Sequence, residues 1–137
     1  MRSGTASFSS DIDSVALRVL LVEDSRVLAE RLRESLDSLE QVEVVGSVAD
    51  ETSAVMAARE NHVDVIILDL QLKEGTGFGV VQRLGKTRPK IIVFTNYMLP
   101  EYQRLASSLG IEYFLNKSLD YERLPQLLAE IGASQPH

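Results

Sequence analysis

Four short apolar runs in this chain each end in residues able to handle a phosphoryl group. Val19-Leu20-Leu21-Val22 leads into Glu23-Asp24, Val65-Ile66-Ile67-Leu68 into Asp69, Ile91-Ile92-Val93-Phe94 into Thr95, and Tyr113-Phe114-Leu115 into Asn116-Lys117. Ligands of an open parallel sheet bind outside the carboxyl ends of its strands, so these side chains are expected to meet in one crevice. Glu23, Asp24 and Asp69 would repel one another there, and a hard divalent cation relieves that most simply. Mg²⁺, with Mn²⁺ as a substitute, takes carboxylate and phosphate oxygens, and no His or Cys cluster in the sequence competes for a softer metal. A carboxylate such as Asp69 can then attack phosphorus and form an acyl phosphate. Lys117 supplies a mobile point charge and Thr95 a directional hydroxyl, which are the needs of phosphoryl transfer.

The segments between these runs are spaced like helices. Leu28, Leu32, Leu36 and Leu39 mark one face of a helix over about 25–39, Ala54, Val55 and Ala58 a second over 51–61, and Val80, Val81 and Leu84 a third over 77–85. A further strand is read over 42–48. Pro100 opens a fourth helix with Leu105, Ala106 and Leu109 inward and Gly110 as its stop. A closing helix carries Leu124, Leu127, Leu128 and Ile131, with a break or restart at Leu124-Pro125 because an internal proline removes a hydrogen bond. Strands alternating with helices imply a doubly wound α/β fold of five parallel strands, with helices on both faces.

With 137 residues and 45% hydrophobic content, the chain fits one domain with one core. Its net charge of -6 disfavours nucleic acid as a direct partner, and the absence of cysteine removes disulfides and thiolate metal sites. Apolar runs fall well short of the roughly 20 residues that span a bilayer, so no membrane partner is expected and the protein is read as cytoplasmic. Residues 1–14, rich in Ser, lack the apolar core of a signal peptide and read as a disordered leader; residues 133–137 read as a disordered tail.

Taken in order and at these strand ends, Glu23-Asp24, Asp69, Thr95 and Lys117 resemble the response-regulator receiver domains. The resemblance runs from about Arg18 to Ile131 and sets the domain at 15–132, with no output domain following. It implies the flavodoxin-like strand order 2-1-3-4-5. It also implies that Asp69 is the phosphoacceptor, that Asp24, Asp69 and the backbone carbonyl of Gln71 bind Mg²⁺ directly, and that Glu23 acts through water. Lys117 would pair with the phosphoryl group, and Thr95 and Phe114 would be the switch residues. The donor would be a histidine kinase or a histidine phosphotransfer protein, docking on the first helix. The output would be a protein partner on the face formed by helix 4, strand 5 and helix 5, where Tyr102, Tyr113, Phe114 and Tyr121 fall. Catalysis would be limited to self-phosphorylation and slow hydrolysis, so the chain is not read as an enzyme. Lys73 and Ser118 stand where the family usually has proline, Asn96 where a small residue is usual, and Phe114 where tyrosine is commoner.

Each residue also has a plainer reading. Asp24 and Ser25 suit a helix N-cap, Thr95 a strand end and Lys117 a solvated surface; their joint placement favours the chemical reading. Gly75-Thr76-Gly77-Phe78-Gly79 lacks the spacing of a phosphate-binding loop and reads as a turn. His62 has no second histidine near it and reads as neither ligand nor phosphocarrier. Three other functions stay open on the residues: a non-phosphorylated interaction module of the same fold, a flavin- or nucleotide-binding protein, and a metal-dependent phosphatase using Asp69.

Overall fold

The computed structural model describes residues 16–135. Five strands, β1 (Leu17–Val22), β2 (Val42–Val48), β3 (Val65–Leu68), β4 (Lys90–Thr95) and β5 (Tyr113–Asn116), form one parallel sheet in the order β2-β1-β3-β4-β5. Between them run α1 (Arg26–Asp37), α2 (Glu51–Glu60), α3 (Gly77–Leu84) and α4 (Pro100–Ser108), and a 3-10 turn at Tyr121–Arg123 leads into α5 (Leu124–Ser134). The expected leader falls outside the described residues. The expected tail begins too early, because α5 continues through Ala133 to Ser134.

Period-two alternation divides the core into two layers. Leu17, Val19 and Leu21 of β1, Val65 and Ile67 of β3, and Ile92 and Phe94 of β4 pack with Leu32 and Leu36 of α1 and Leu124, Leu128 and Ile131 of α5. The alternate residues Leu20, Val22, Ile66, Leu68, Ile91 and Val93 pack with Ala54 and Val55 of α2, Val80 and Val81 of α3, and Ala106 of α4. Both faces of the sheet are therefore dry over residues 19–22, 65–68 and 91–94, which is why these runs of β1, β3 and β4 are apolar without a break.

Caps and turns fix where each helix starts and stops. Ser25, Asp50 and Thr76 accept from Leu28, Ser53 and Gly79 N–H as N-caps of α1, α2 and α3. Gly110, at φ 81°, ends α4 in the left-handed region. Pro125 sits in the first turn of α5, where its missing N–H costs nothing, so the helix restarts after the 3-10 turn rather than breaking within.

Leu105 corrects one expectation. Tyr102, Ala106 and Leu109 form the inward stripe of α4, and Leu105, about 100° around the helix from Ala106, is 38% exposed.

Gly77 abuts the carboxyl end of β3, and a Cβ there would overlap the Asp69 carbonyl oxygen and crowd Leu70 Cα, both backbone atoms. Gly77→Ala is expected to lose about 1–3 kcal/mol of unfolding free energy, as overpacked sites do. Urea unfolding checks this, and an unchanged midpoint would contradict it.

Candidate active site

Backbone ladders carry the chain past its strand ends and set the site. Glu23 N–H donates to Val48 O (2.9 Å), Asp69 N–H to Val22 O (3.0 Å) and Lys117 N–H to Thr95 O (3.0 Å), so the first residues beyond β1, β3 and β5 are each tied to a neighbouring strand. Carboxylate oxygens of Glu23, Asp24 and Asp69 consequently lie within 4.8 Å of one another. Glu23 and Asp69 are buried, and Asp24 is exposed at the mouth.

Lys117 answers this charge. Its Nζ lies 2.7 Å from Glu23 Oε1 and 2.8 Å from Asp69 Oδ2, and its side chain is only 13% exposed. Burial opposes the ammonium, but the hydrogen bonds to Asp69 and Glu23 and the charges of both outweigh it, so Lys117 is held above its ordinary pKa. Burial pushes the Glu23 carboxyl up, against hydrogen bonds from Lys117 and from Ser25 N–H at 2.9 Å, and the Asp69 charge adds to the rise. Three carboxylates against one ammonium leave the crevice two charges negative when all are ionised. Such a set of hard oxygens, two of them buried, suits a small divalent cation.

The loop after β5 is built to present Lys117. Asn116 Oδ1 accepts from Ser118 N–H (2.8 Å) and Leu119 N–H (2.9 Å), while Asp120 Oδ2 accepts from Asn116 N–H (2.8 Å). The Asn116 N–H bond, followed by the Arg123 guanidinium, holds the Asp120 carboxyl below its usual range. Sequence reasoning passed over Asn116 and Asp120 as positioning groups, although Asn and Asp around a short polar stretch signal such side-chain turns.

The region 19–129 matches the family model of the response regulator receiver domain. This chain belongs to that family. Among curated proteins the receiver is similar to the sensory transduction protein LytT of Bacillus anthracis, 29% identical over 114 residues covering 82% of this chain and 46% of that protein. It is also similar to the transcriptional regulatory protein DesR of Bacillus subtilis, 27% identical over 84% of this chain and 58% of that protein. The chain thus spans about half the length of these relatives. Among solved structures, the response regulator domain of Thermotoga maritima CheB superposes with a TM-score of 0.75 at 26% identity, covering 88% of this chain and 99% of that one. The receiver domain of AraT from Geobacillus stearothermophilus does so with a TM-score of 0.75 at 28% identity, covering 87% and 95%. The strand order is the one expected for the family.

Around this receiver's acidic centre the other expected residues take distinct places. Thr95 is fully buried at the end of β4, and its Oγ1 accepts from Tyr97 N–H at 3.1 Å within its own loop. Gln71 follows Asp69 by two residues on the same loop, where its N–H donates to Asp69 Oδ1 at 3.4 Å. Phe114 lies on β5 beside Val93, half-buried against the layer of α2, α3 and α4. Lys73 and Ser118, which replace prolines usual in the family, both use the N–H a proline lacks: Lys73 donates to Ala49 O at 3.0 Å and Ser118 to Asn116. Asn96 is exposed beside the site.

The four aromatics expected on the output face are all half-buried. Tyr102 and Phe114 pack into one core layer and Tyr113 and Tyr121 into the other, because they lie on opposite sides of the β5 edge. Tyr121 is held by Phe94 at 6.1 Å between ring centroids, by Arg31 over its face and by Ser35 Oγ at 3.2 Å. Tyr97, Leu99 and Leu105 are the exposed apolar side chains of the β4–α4 region. No helix among the described residues is long and apolar enough to cross a membrane.

Lys117→Met should lose about 3–5 kcal/mol near neutral pH, the usual cost of leaving buried charge unpaired. Glu23 already holds its proton more tightly folded than unfolded, so the folded state takes up protons first as pH falls. The variant should therefore regain stability as the pH falls from neutral into the mildly acidic range, read by urea unfolding at both ends of that range. A variant that weakens steadily on acidification would contradict this charge assignment.

Proposed function

We propose that this receiver is the phosphoacceptor of a two-component or phosphorelay system, with Asp69 taking a phosphoryl group from the phosphohistidine of a sensor kinase or phosphotransfer protein. The observation that carries the reading is the cluster of Glu23, Asp24, Asp69 and Lys117, in which a buried carboxylate is flanked by both an ammonium and two further carboxylates. In the reaction an Asp69 carboxylate oxygen forms the new P–O bond as the P–N bond to the donor imidazole breaks. The imidazole leaves with that electron pair and gains a proton.

Mg²⁺ bound at the acidic residues would neutralise charge on both reactants. Asp24, Asp69 and the Gln71 carbonyl are the direct ligands in this reading, and Glu23, already engaged by Lys117 and Ser25 N–H, acts through water. Lys117 transfers its hydrogen bond from Asp69 Oδ2 to a phosphoryl oxygen. The Thr95 hydroxyl, which uses a lone pair on Tyr97 N–H, keeps its own hydrogen to donate. Its movement, with that of half-buried Phe114, shifts the β4–α4 loop and α4, where Tyr97, Leu99 and Leu105 offer an apolar surface to a protein partner. Self-phosphorylation and slow hydrolysis are the extent of the catalysis. Since an ATP-fed kinase supplies the phosphoryl group, the same reading makes the protein cytoplasmic.

Asp69→Asn should abolish Mg²⁺-dependent labelling by acetyl phosphate or a phosphohistidine donor, because an amide oxygen is far too weak a nucleophile for the step. Autoradiography against the unmodified chain checks this. Stoichiometric labelling of the variant would overturn the assignment of Asp69.

A further inference from the structure

The loop from Leu70 to Thr76 follows Asp69 directly and is mostly solvent-exposed, so packing alone does not fix it. Two ties are internal: Gly77 N–H donates to Leu70 O at 3.0 Å, and Gln71 and Thr76 form an antiparallel bridge. Three others come from the junction of β2 and α2. Lys73 N–H donates to Ala49 O (3.0 Å), Glu51 N–H donates to Glu74 O (2.9 Å), and Glu51 Oε1 accepts from Thr76 N–H (3.0 Å).

The Glu51 carboxylate is enclosed as well as bonded. A Cβ at Gly75 or at Gly79 would overlap the Glu51 side chain, and Gly75 also holds φ 85°, where a side chain is strained. The glycine-rich stretch Gly75-Thr76-Gly77-Phe78-Gly79 therefore wraps a carboxylate of the chain itself. Arg83 of α3 closes the far side, with Nη1 3.3 Å from Glu51 Oε2 and 3.3 Å from Thr52 Oγ1. The charge also lies at the amino end of α3, where the helix dipole favours an anion.

We propose that Glu51 is a positioning residue for the cation site at Asp69: its carboxylate, seated in the glycine turn, pins the loop that carries the Gln71 carbonyl. This rests on the reading above of Gln71 as a metal ligand. Through Glu51, α2 is linked to the acceptor loop by two hydrogen bonds, and displacement of α2 would alter cation affinity without touching a ligand.

The test compares the unmodified chain with Glu51→Ala, Glu51→Gln, Gly79→Ala and the Glu51→Ala/Gly79→Ala double variant. Mg²⁺ affinity is measured by amide NMR titration, and labelling by acetyl phosphate as a function of Mg²⁺. Glu51→Ala should weaken Mg²⁺ about tenfold while the labelling rate at saturating Mg²⁺ stays within about twofold. Glu51→Gln, which keeps the bond to Thr76 N–H, should weaken it only about threefold, and it serves if Glu51→Ala fails to fold. Gly79→Ala should match Glu51→Ala, and the double variant should be no worse than either, since both remove the same contact. In metal-free protein the Thr76 amide should exchange at least tenfold faster in Glu51→Ala. Unchanged Mg²⁺ affinity in every folded variant, with only the thermal midpoint lowered, would reduce Glu51 to a packing residue. If the unmodified chain itself neither binds Mg²⁺ nor is labelled, the phosphoacceptor reading fails first, and the positioning role with it.

Discussion

Crowded negative charge at the ends of β1 and β3 is the constraint that organises this molecule. Three carboxylates within 4.8 Å of one another are unfavourable in a partly dry crevice, and Lys117 compensates only part of that charge. The sheet enforces the crowding. Parallel register aligns Val22 with Leu68 and Leu68 with Val93, so the residues after those positions have no other place to go. Stability contributed by two apolar layers holds together a centre that would not assemble by itself.

Around that centre the loops matter more than the strands. Lys117 reaches Glu23 and Asp69 because the Asn116–Asp120 turn closes on itself, and Asp69 is followed by a loop fastened to the start of α2. Where this chain lacks prolines usual in its family, at Lys73 and Ser118, it makes backbone hydrogen bonds that a proline could not. Rigidity is supplied by bonds rather than by a restricted φ angle.

Much of this was readable from residues. Val65–Leu68 and Ile91–Phe94 are apolar at every position because both faces are covered, and the polar residue after each run marks the carboxyl edge. Strand β2 and the restart at Pro125 followed from the same local rules. What escaped reading depended on angles and distances between elements. Leu105 is apolar yet lies beyond the edge of the buried stripe, Tyr102 and Tyr121 separate onto opposite sides of β5, and Glu51 looks like any surface acid at a helix start until Gly75 and Gly79 are seen wrapped around it. Alternation along one segment carries none of that information.

A covalent bond between phosphorus and the side chain at position 69 is the proposed event on which all the rest of the function depends. Borohydride reduces an acyl phosphate, so treating the phosphorylated, unmodified chain with borohydride and mapping its peptides by mass spectrometry locates that bond directly. The prediction is homoserine in place of Asp69 and an unaltered side chain at Glu23, Asp24 and every other acidic position. Reduction at another carboxylate, or a phosphoryl group that survives borohydride because it sits on a hydroxyl or an imidazole, would contradict it.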